Sequence, residues 1–168
     1  MRIAVTGTPG TGKTTAVDRL EPDLDVLHLN DVIQEQGLTL GIDDERDSVI
    51  ADVEALAEWL EGRDDVIFES HLAHQFDADR VAVLRCHPEG IERRLRSREK
   101  SPASIAENAE SEALDVILGE AVEQHGSDSV YEIDTTDRGP DEVAAAIEAV
   151  IDGSRKPQVG TVSFIDYL

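Results

Sequence analysis

Near the amino end the chain reads Gly7-Thr8-Pro9-Gly10-Thr11-Gly12-Lys13-Thr14, a full match to the spacing G-x-x-x-x-G-K-[ST]. That spacing suits the binding of a polyphosphate. Glycines let the backbone curl so that several N–H groups point inward, and a helix beginning at Lys13 adds the positive end of its dipole. In this reading Gly7, Gly10, Thr11 and Gly12 shape the cradle, Lys13 reaches the β- and γ-phosphates and Thr14 binds Mg²⁺, so ATP and Mg²⁺ are the expected ligands. A chance match in a chain this size arises on the order of once in a hundred or fewer.

Two further stretches carry candidate chemistry. In "DDVIFESHLAH" an apolar run ends in Glu69 and is followed by His71 and His74. Zinc is disfavoured there, because an H-x-x-H pair lacks two further ligands and Cys86-His87 must come from another strand end. A polar loop in which His74 caps or lines the turn competes with a catalytic role for His71. The second stretch, "VAVLRCHPEGIERRLRSR", places Arg85, Arg93, Arg94, Arg96 and Arg98 before and within one helix, in a chain whose only lysines are Lys13, Lys100 and Lys156. Clustered arginines suit a transferring phosphoryl group. Arg94 and Arg98, spaced i, i+4, share a face and can swing over a nucleotide together. Salt bridging to the many nearby carboxylates is the competing reading.

These residues need a frame, and the pattern supplies one. "MRIAVT", "DVLHL", "DVIFE", "RVAVLR" and "SVYEI" read as five strands. Between and after them, helices are expected in "TTAVDRL", "DDERDSVIADVEALAEWLEG", "PEGIERRLRSR", "SPASIAENAESEALDVILGEAVEQHG" and "GPDEVAAAIEAVIDG", several begun by proline and stopped by glycine. Alternation of this kind predicts an α/β fold: a mainly parallel five-stranded sheet, right-handed crossovers, helices on both faces and ligands at the carboxyl ends of the strands. The remainder, residues 153–168, ends in Phe164, Ile165, Tyr167 and Leu168, apolar enough to dock on the body or on a partner.

Composition bounds the function. The 168 residues suit one domain, and 37 acidic against 15 basic residues give a formal net charge of −22. Direct nucleic-acid binding is unfavourable at that charge. The acids are spread along the chain, which favours a solvation surface like that of proteins from salt-accumulating organisms over a docking face for a basic partner. Neither a signal peptide nor a membrane span is evident, so a cytoplasmic protein is expected. Cys86 is the only cysteine and reads as a small buried hydrophobe. His28 and His125 read as structural. No N-K-x-D follows a later strand, which disfavours a guanine-nucleotide switch.

At this point "GTPGTGKTT", "DDERDSVIADVEAL", "FESH", "VLRCHPEGIERRLRSREKSPASIAENAESE" and "IDTT" with its proline-started helix together resemble the nucleoside monophosphate kinases, specifically the adenylate kinase isoenzyme 6 group with its archaeal members. The resemblance spans residues 1 to about 152. It implies a nucleotide cradle at Gly10, Gly12, Lys13, Thr14 and Thr15, a monophosphate-binding segment near residues 28–51, a short lid near 98–108 with Arg98 as its arginine, and a variant Walker B formed by Glu69 and His71. Glu69 then holds the Mg²⁺ shell through water, and His71 positions an attacking water or the monophosphate. Departures are glutamate where the family often has aspartate, Arg98-Glu99-Lys100 where its lid reads R-G-Y, and Arg46 as the only arginine within residues 21–62. The activity implied is Mg²⁺-dependent transfer of the ATP γ-phosphoryl group to AMP or a related monophosphate, with ATPase activity. The alternative is an ATPase switch in late maturation of the small ribosomal subunit through ribosomal protein uS11. A different small-molecule kinase on the same fold is a third class, against which the "FESH" and "RLRSREK" matches argue.

Overall fold

The computed structural model describes residues 1–45 and 48–168; Arg46 lies outside them. In chain order the elements are β1 (Arg2–Thr6), α1 (Lys13–Val17), β2 (Asp25–His28), α2 (Leu29–Gln36), β3 (Thr39–Asp43), β4 (Ser48–Ala51) and α3 (Val53–Leu60). Then follow β5 (Val66–Glu69), β6 (Arg80–Arg85), α4 (Pro88–Ser97), α5 (Pro102–Ala113), α6 (Val116–His125), β7 (Val130–Asp134) and α7 (Pro140–Asp152).

Alternation within the strands decides the layers. Ile3 and Val5 face one way and Ala4 the other, and all three are fully buried, so β1 needs cover on both sides. The helices α1 and α7 supply it on one face, packing Ala16, Val17, Val143, Ile147 and Val150 against Ile3, Val5 and Leu84. On the other face α2, α3 and α6 pack Leu29, Ile33, Leu56, Leu60 and Leu118 against Ala4, Phe68 and Val83. The main sheet has the order β2-β5-β1-β6-β7 with every neighbouring pair parallel. The central strand β1 therefore ends at the crevice where the chain crosses from one face of the sheet to the other, the place where such folds bind ligands.

Three expectations change at element level. The helix expected from residue 43 to Gly62 begins only at Val53: β3 and β4 form an antiparallel hairpin instead, and Asp52 caps α3 by accepting from the Ala55 N–H at 3.1 Å. The β-branched pair in "SVIA" prefers the pleated strand, and Asp52 offers the backbone a helix start that the sequence pattern hid. The second strand ends at His28, and α2 follows at once, stopped by Gly37 in the left-handed region. The long helix expected over 101–126 breaks into α5 and α6 at Asp115, whose φ of 56° is left-handed. Its carboxylate accepts from the buried Arg85, and that bond compensates for the strained backbone. Ser101, Pro102 and Pro140 start their helices as expected, and Cys86 is free and buried. Among the described residues no helix is long and apolar enough to cross a membrane.

Candidate active site

The phosphate loop joins β1 to α1 and is held by close backbone approach. A Cβ added at Gly7 would stand 2.6 Å from the Leu84 carbonyl oxygen, so no larger residue fits there without movement. One added at Gly10 would meet Ile91 of α4 at 3.4 Å, which brings the loop backbone onto that helix. The Lys13 ammonium is buried beneath the loop and donates to the Gly7 carbonyl at 2.9 Å and the Thr8 carbonyl at 3.2 Å. Burial pushes its pKa down to about 8, with Arg98 adding repulsion and Glu69 and Glu112 pulling the other way. One buried polar atom has no partner among the described residues: the hydroxyl oxygen of Thr8, in this loop.

Parallel register builds the acidic half of the site. On neighbouring strands β2 and β5, His28 pairs directly with Glu69 at the carboxyl ends. Glu69 is 2 % exposed and accepts from Thr14 Oγ1 at 2.9 Å and His28 Nδ1 at 2.8 Å. The other ring nitrogen of His28 lies 3.0 Å from Asp18, so both nitrogens face carboxylates. Burial alone would lower the His28 pKa; the hydrogen bond and charge of Glu69, with Asp18 and Asp31, outweigh it and raise it. His28 thus belongs to the site, contrary to its reading as a structural residue. Sequence alone could not show this, because the contact depends on a pairing between strands distant along the chain.

Beyond β5, His71 is exposed at the mouth and makes no hydrogen bond among the described residues. The protein on its cleft side lowers its pKa, and Lys13 and His74 add to the effect, so the ring is neutral near pH 7. His74 is buried, with Nδ1 2.7 Å from Thr6 Oγ1 and Nε2 2.7 Å from Glu120, while its carbonyl accepts from His125 Nε2 at 2.7 Å. Both His74 and His125 therefore fasten the segment after β5 to α6 rather than reach a ligand.

The five arginines divide. Arg94 Nη1 donates to the Gly10 carbonyl at 2.8 Å, and Arg94 and Arg98 line one cavity of about 180 Å³ together with Thr11, Gly12, Thr15 and Thr135. Pro140 and Val143 form its apolar wall and Arg138 its rim. Thr135 ties that wall to the loop, donating to the Arg85 carbonyl at 2.8 Å and lying 3.2 Å from the Thr11 carbonyl. Arg96 lies on the outer side of α4, 3.4 Å from Glu92, and Arg93 is exposed. Arg85 does not face the phosphate site. It is 1 % exposed and held by Glu112 at 2.9 Å, Glu132 at 2.8 Å and Asp115, charges that outweigh its burial and keep it ionised. The signal that misled was proximity in sequence: Arg85 ends a strand, whereas Arg94 lies on α4 and Arg98 caps its carboxyl end. Arg138 was the residue passed over, within the "IDTTDRGP" stretch.

The donors present fit a hydrated divalent ion. Thr14 Oγ1 and one Glu69 oxygen converge, and Mg²⁺ takes one or two protein oxygens with water and phosphate supplying the rest. Among the described residues no three His, Cys, Asp or Glu side chains come together as a metal cage. The unpartnered Thr8 hydroxyl also fits a cradle completed by an oxygen-rich ligand.

Comparison with known proteins gives the chain its relatives. A model for the AAA domain matches residues 3–115. A protein of Natronomonas pharaonis named "Putative adenylate kinase" is 61% identical over 168 residues, covering all of both chains. One of the same name from Halobacterium salinarum is 60% identical over 169 residues, again covering both chains fully, and one from Methanothermobacter thermautotrophicus is 43% identical, covering 99% of this chain and 98% of that one. Among solved structures, shikimate kinase from Acinetobacter baumannii in complex with shikimate superposes with a TM-score of 0.59 at 17% identity, covering 92% of this chain and 94% of that one. A sugar kinase from Janibacter gives 0.52 at 20% identity, covering 90% and 94%. The two solved structures show the shared fold alone.

Proposed function

The chain belongs to the archaeal family whose curated members are named putative adenylate kinase, and on that premise we propose that it is a Mg²⁺-dependent nucleoside monophosphate kinase, moving the ATP γ-phosphoryl group to AMP or a related monophosphate. The observation that carries this reading is the buried Lys13 ammonium of the phosphate loop, with Thr14 of that loop 2.9 Å from Glu69 at the end of β5.

Each residue then has a task. Lys13, released from the Gly7 and Thr8 carbonyls, neutralises the β- and γ-phosphates. Thr14 would bind the Mg²⁺ and Glu69 would hold its hydration shell, and the ion would supply charge neutralisation at the triphosphate. Gly10, Gly12 and Thr15 shape the loop around the phosphates, and Arg94 and Arg98 close over them from α4 and its end. The apolar wall at Pro140 and Val143 takes the base of the donor nucleotide. His71, neutral near pH 7, stands at the acceptor side, where its ring N–H donates to the monophosphate and orients it. The chemistry is positional: little covalent work falls to the protein, and alignment of two bound reactants supplies much of the rate.

The second reading is an ATPase switch acting with ribosomal protein uS11 on the small ribosomal subunit. Arg46 as the only arginine within residues 21–62 leaves the acceptor phosphate few cationic contacts, which opens the γ-phosphate to water, and a net charge of −22 has the sign that a basic partner requires. Following ATP, ADP, AMP and phosphate together by chromatography, in Mg²⁺ and high KCl, separates the two. AMP-dependent ADP formation without free phosphate, lost in Lys13→Ala, supports the kinase. Phosphate release indifferent to AMP makes hydrolysis primary and overturns the kinase assignment.

A further inference from the structure

Residues after α7 do more than seal the sheet. Gln158 adds to its edge, the Glu132 N–H donating to the Gln158 carbonyl at 2.9 Å and the Gln158 N–H to Val130 at 3.2 Å. The N–H groups of Thr161 and Val162 then donate to Glu132 Oε1 at 2.8 and 3.0 Å, while Oε2 of the same carboxylate takes Arg85 at 2.8 Å. So far this is what an exposed edge strand needs for protection. Beyond it, however, the segment turns onto α4.

Phe164 is 8% exposed, its ring 5.4 Å from the Arg85 guanidinium and 5.4 Å from the His87 ring, edge to face. Tyr167 adds a second edge contact to His87 at 6.4 Å, and its hydroxyl donates to Glu92. His87 is the residue that caps α4, accepting from the Glu89 N–H at 3.2 Å, and its own N–H donates to Thr136 at 2.9 Å. His87, Ile91 and Arg94 follow one another at i, i+4 and i+7, along one stripe of the helix. Ile91 presses on Gly10, and Arg94 donates to the Gly10 carbonyl at 2.8 Å. An aromatic clamp therefore grips the start of the helix whose next turns contact the phosphate loop.

We propose that Phe164 and Tyr167 are positioning residues: by fixing α4 they hold Arg94 at the phosphate loop in the geometry that phosphoryl transfer requires. The inference rests on the nucleotide-binding reading of that loop given above. Neither aromatic touches substrate; both act through α4. Small displacements of a charged group at such a site are costly, since an error of about 1 Å can lower the rate by about two orders of magnitude.

The test is a double-mutant cycle in kcat/KM for MgATP with AMP as acceptor, at a temperature where circular dichroism shows every variant folded. Phe164→Leu should lower kcat/KM about tenfold and Tyr167→Phe about threefold. In an Arg94→Ala background each should cost less than about twofold, because the group they position is gone. Leu60→Val, which trims the buried end of α3 far from α4, controls for loss of stability alone. Equal losses in both backgrounds, or none in either, overturn the proposal. MgATP binding measured in parallel by calorimetry keeps the two readings apart. A parent that binds MgATP without phosphorylating AMP refutes the acceptor assignment, and the same cycle is then read in Kd. A parent that binds no nucleotide overturns both.

Discussion

Raising the pH from 7 to 9 should weaken MgATP binding through a single amine. Lys13 has its pKa lowered to about 8, chiefly by burial, whereas a bound triphosphate opposite the ammonium favours its charged form. The free protein at pH 8 then carries the neutral amine in about half of its molecules, and at pH 9 in about nine-tenths. Binding must take up about 0.5 proton at pH 8 and about 0.9 at pH 9, and affinity should fall about twofold and about tenfold relative to pH 7. Calorimetry in two buffers of different ionisation enthalpy measures the uptake directly. Lys13→Arg, always protonated, should show neither the uptake nor the fall. Uptake below about 0.1 proton at both pH values would refute the assignment of a desolvated amine to this loop.

The same amine fixes the sign of a stability change. An unfolded lysine holds its proton to 10.5, while the folded one releases it near 8, so between those values the unfolded state binds more protons and stability rises with pH. The full rise is about 3 kcal/mol, of which about 2.4 kcal/mol falls between pH 7.5 and pH 10, where chemical denaturation reads it, and it should vanish in Lys13→Met.

Three further outcomes follow from single contacts. Thr8→Val removes the unpartnered hydroxyl at constant shape, so it should leave the melting temperature unchanged or higher yet raise the MgATP Kd by about three- to tenfold, while Thr8→Ser restores affinity. Glu69→Gln keeps an acceptor for the Thr14 hydroxyl but not the charge, so MgATP turnover should drop at least about tenfold while ATP binding in EDTA stays within about threefold of the parent, by calorimetry. Arg85→Met strands Glu112 and Glu132 as buried carboxylates and should cost about 3–5 kcal/mol in chemical denaturation, more than Glu132→Gln does.

The strands and the phosphate loop were legible because their signals are local. The β-branched apolar run around Ala4, and glycines followed by Lys13-Thr14, need only neighbours in sequence to be recognised. The α2 helix and the β3–β4 hairpin were hidden because the signals overlap: one apolar run, "DVLHL", crosses from strand into helix, and "SVIADVEALAEWL" changes period at Asp52. The break at Asp115 was out of reach for a different reason. Residues 101–126 have helical composition throughout, and the left-handed turn is made worthwhile by Arg85, 30 positions away. In the site, Thr14 was read from the loop motif and Glu69 from the resemblance, whereas the contact of His28 with Glu69 depends on strand register.

Three charged groups of this site are already engaged before a ligand arrives. Lys13 donates to its own loop, Arg94 to the Gly10 carbonyl, and Glu69 accepts from Thr14 and His28. Binding therefore exchanges hydrogen bonds instead of creating them, so each exchanged contact adds only about 1 kcal/mol to nucleotide affinity, well short of its strength in isolation. Preorganisation is what the exchange gains in return: the loop, the acid and the arginine stand near their working positions, and little ordering entropy remains to be lost. The exception is Thr8, whose hydroxyl has no bond to give up. For that reason a neutral side chain one residue from the start of the loop should weigh as heavily in the measured affinity as a charged one that must first break its internal contact.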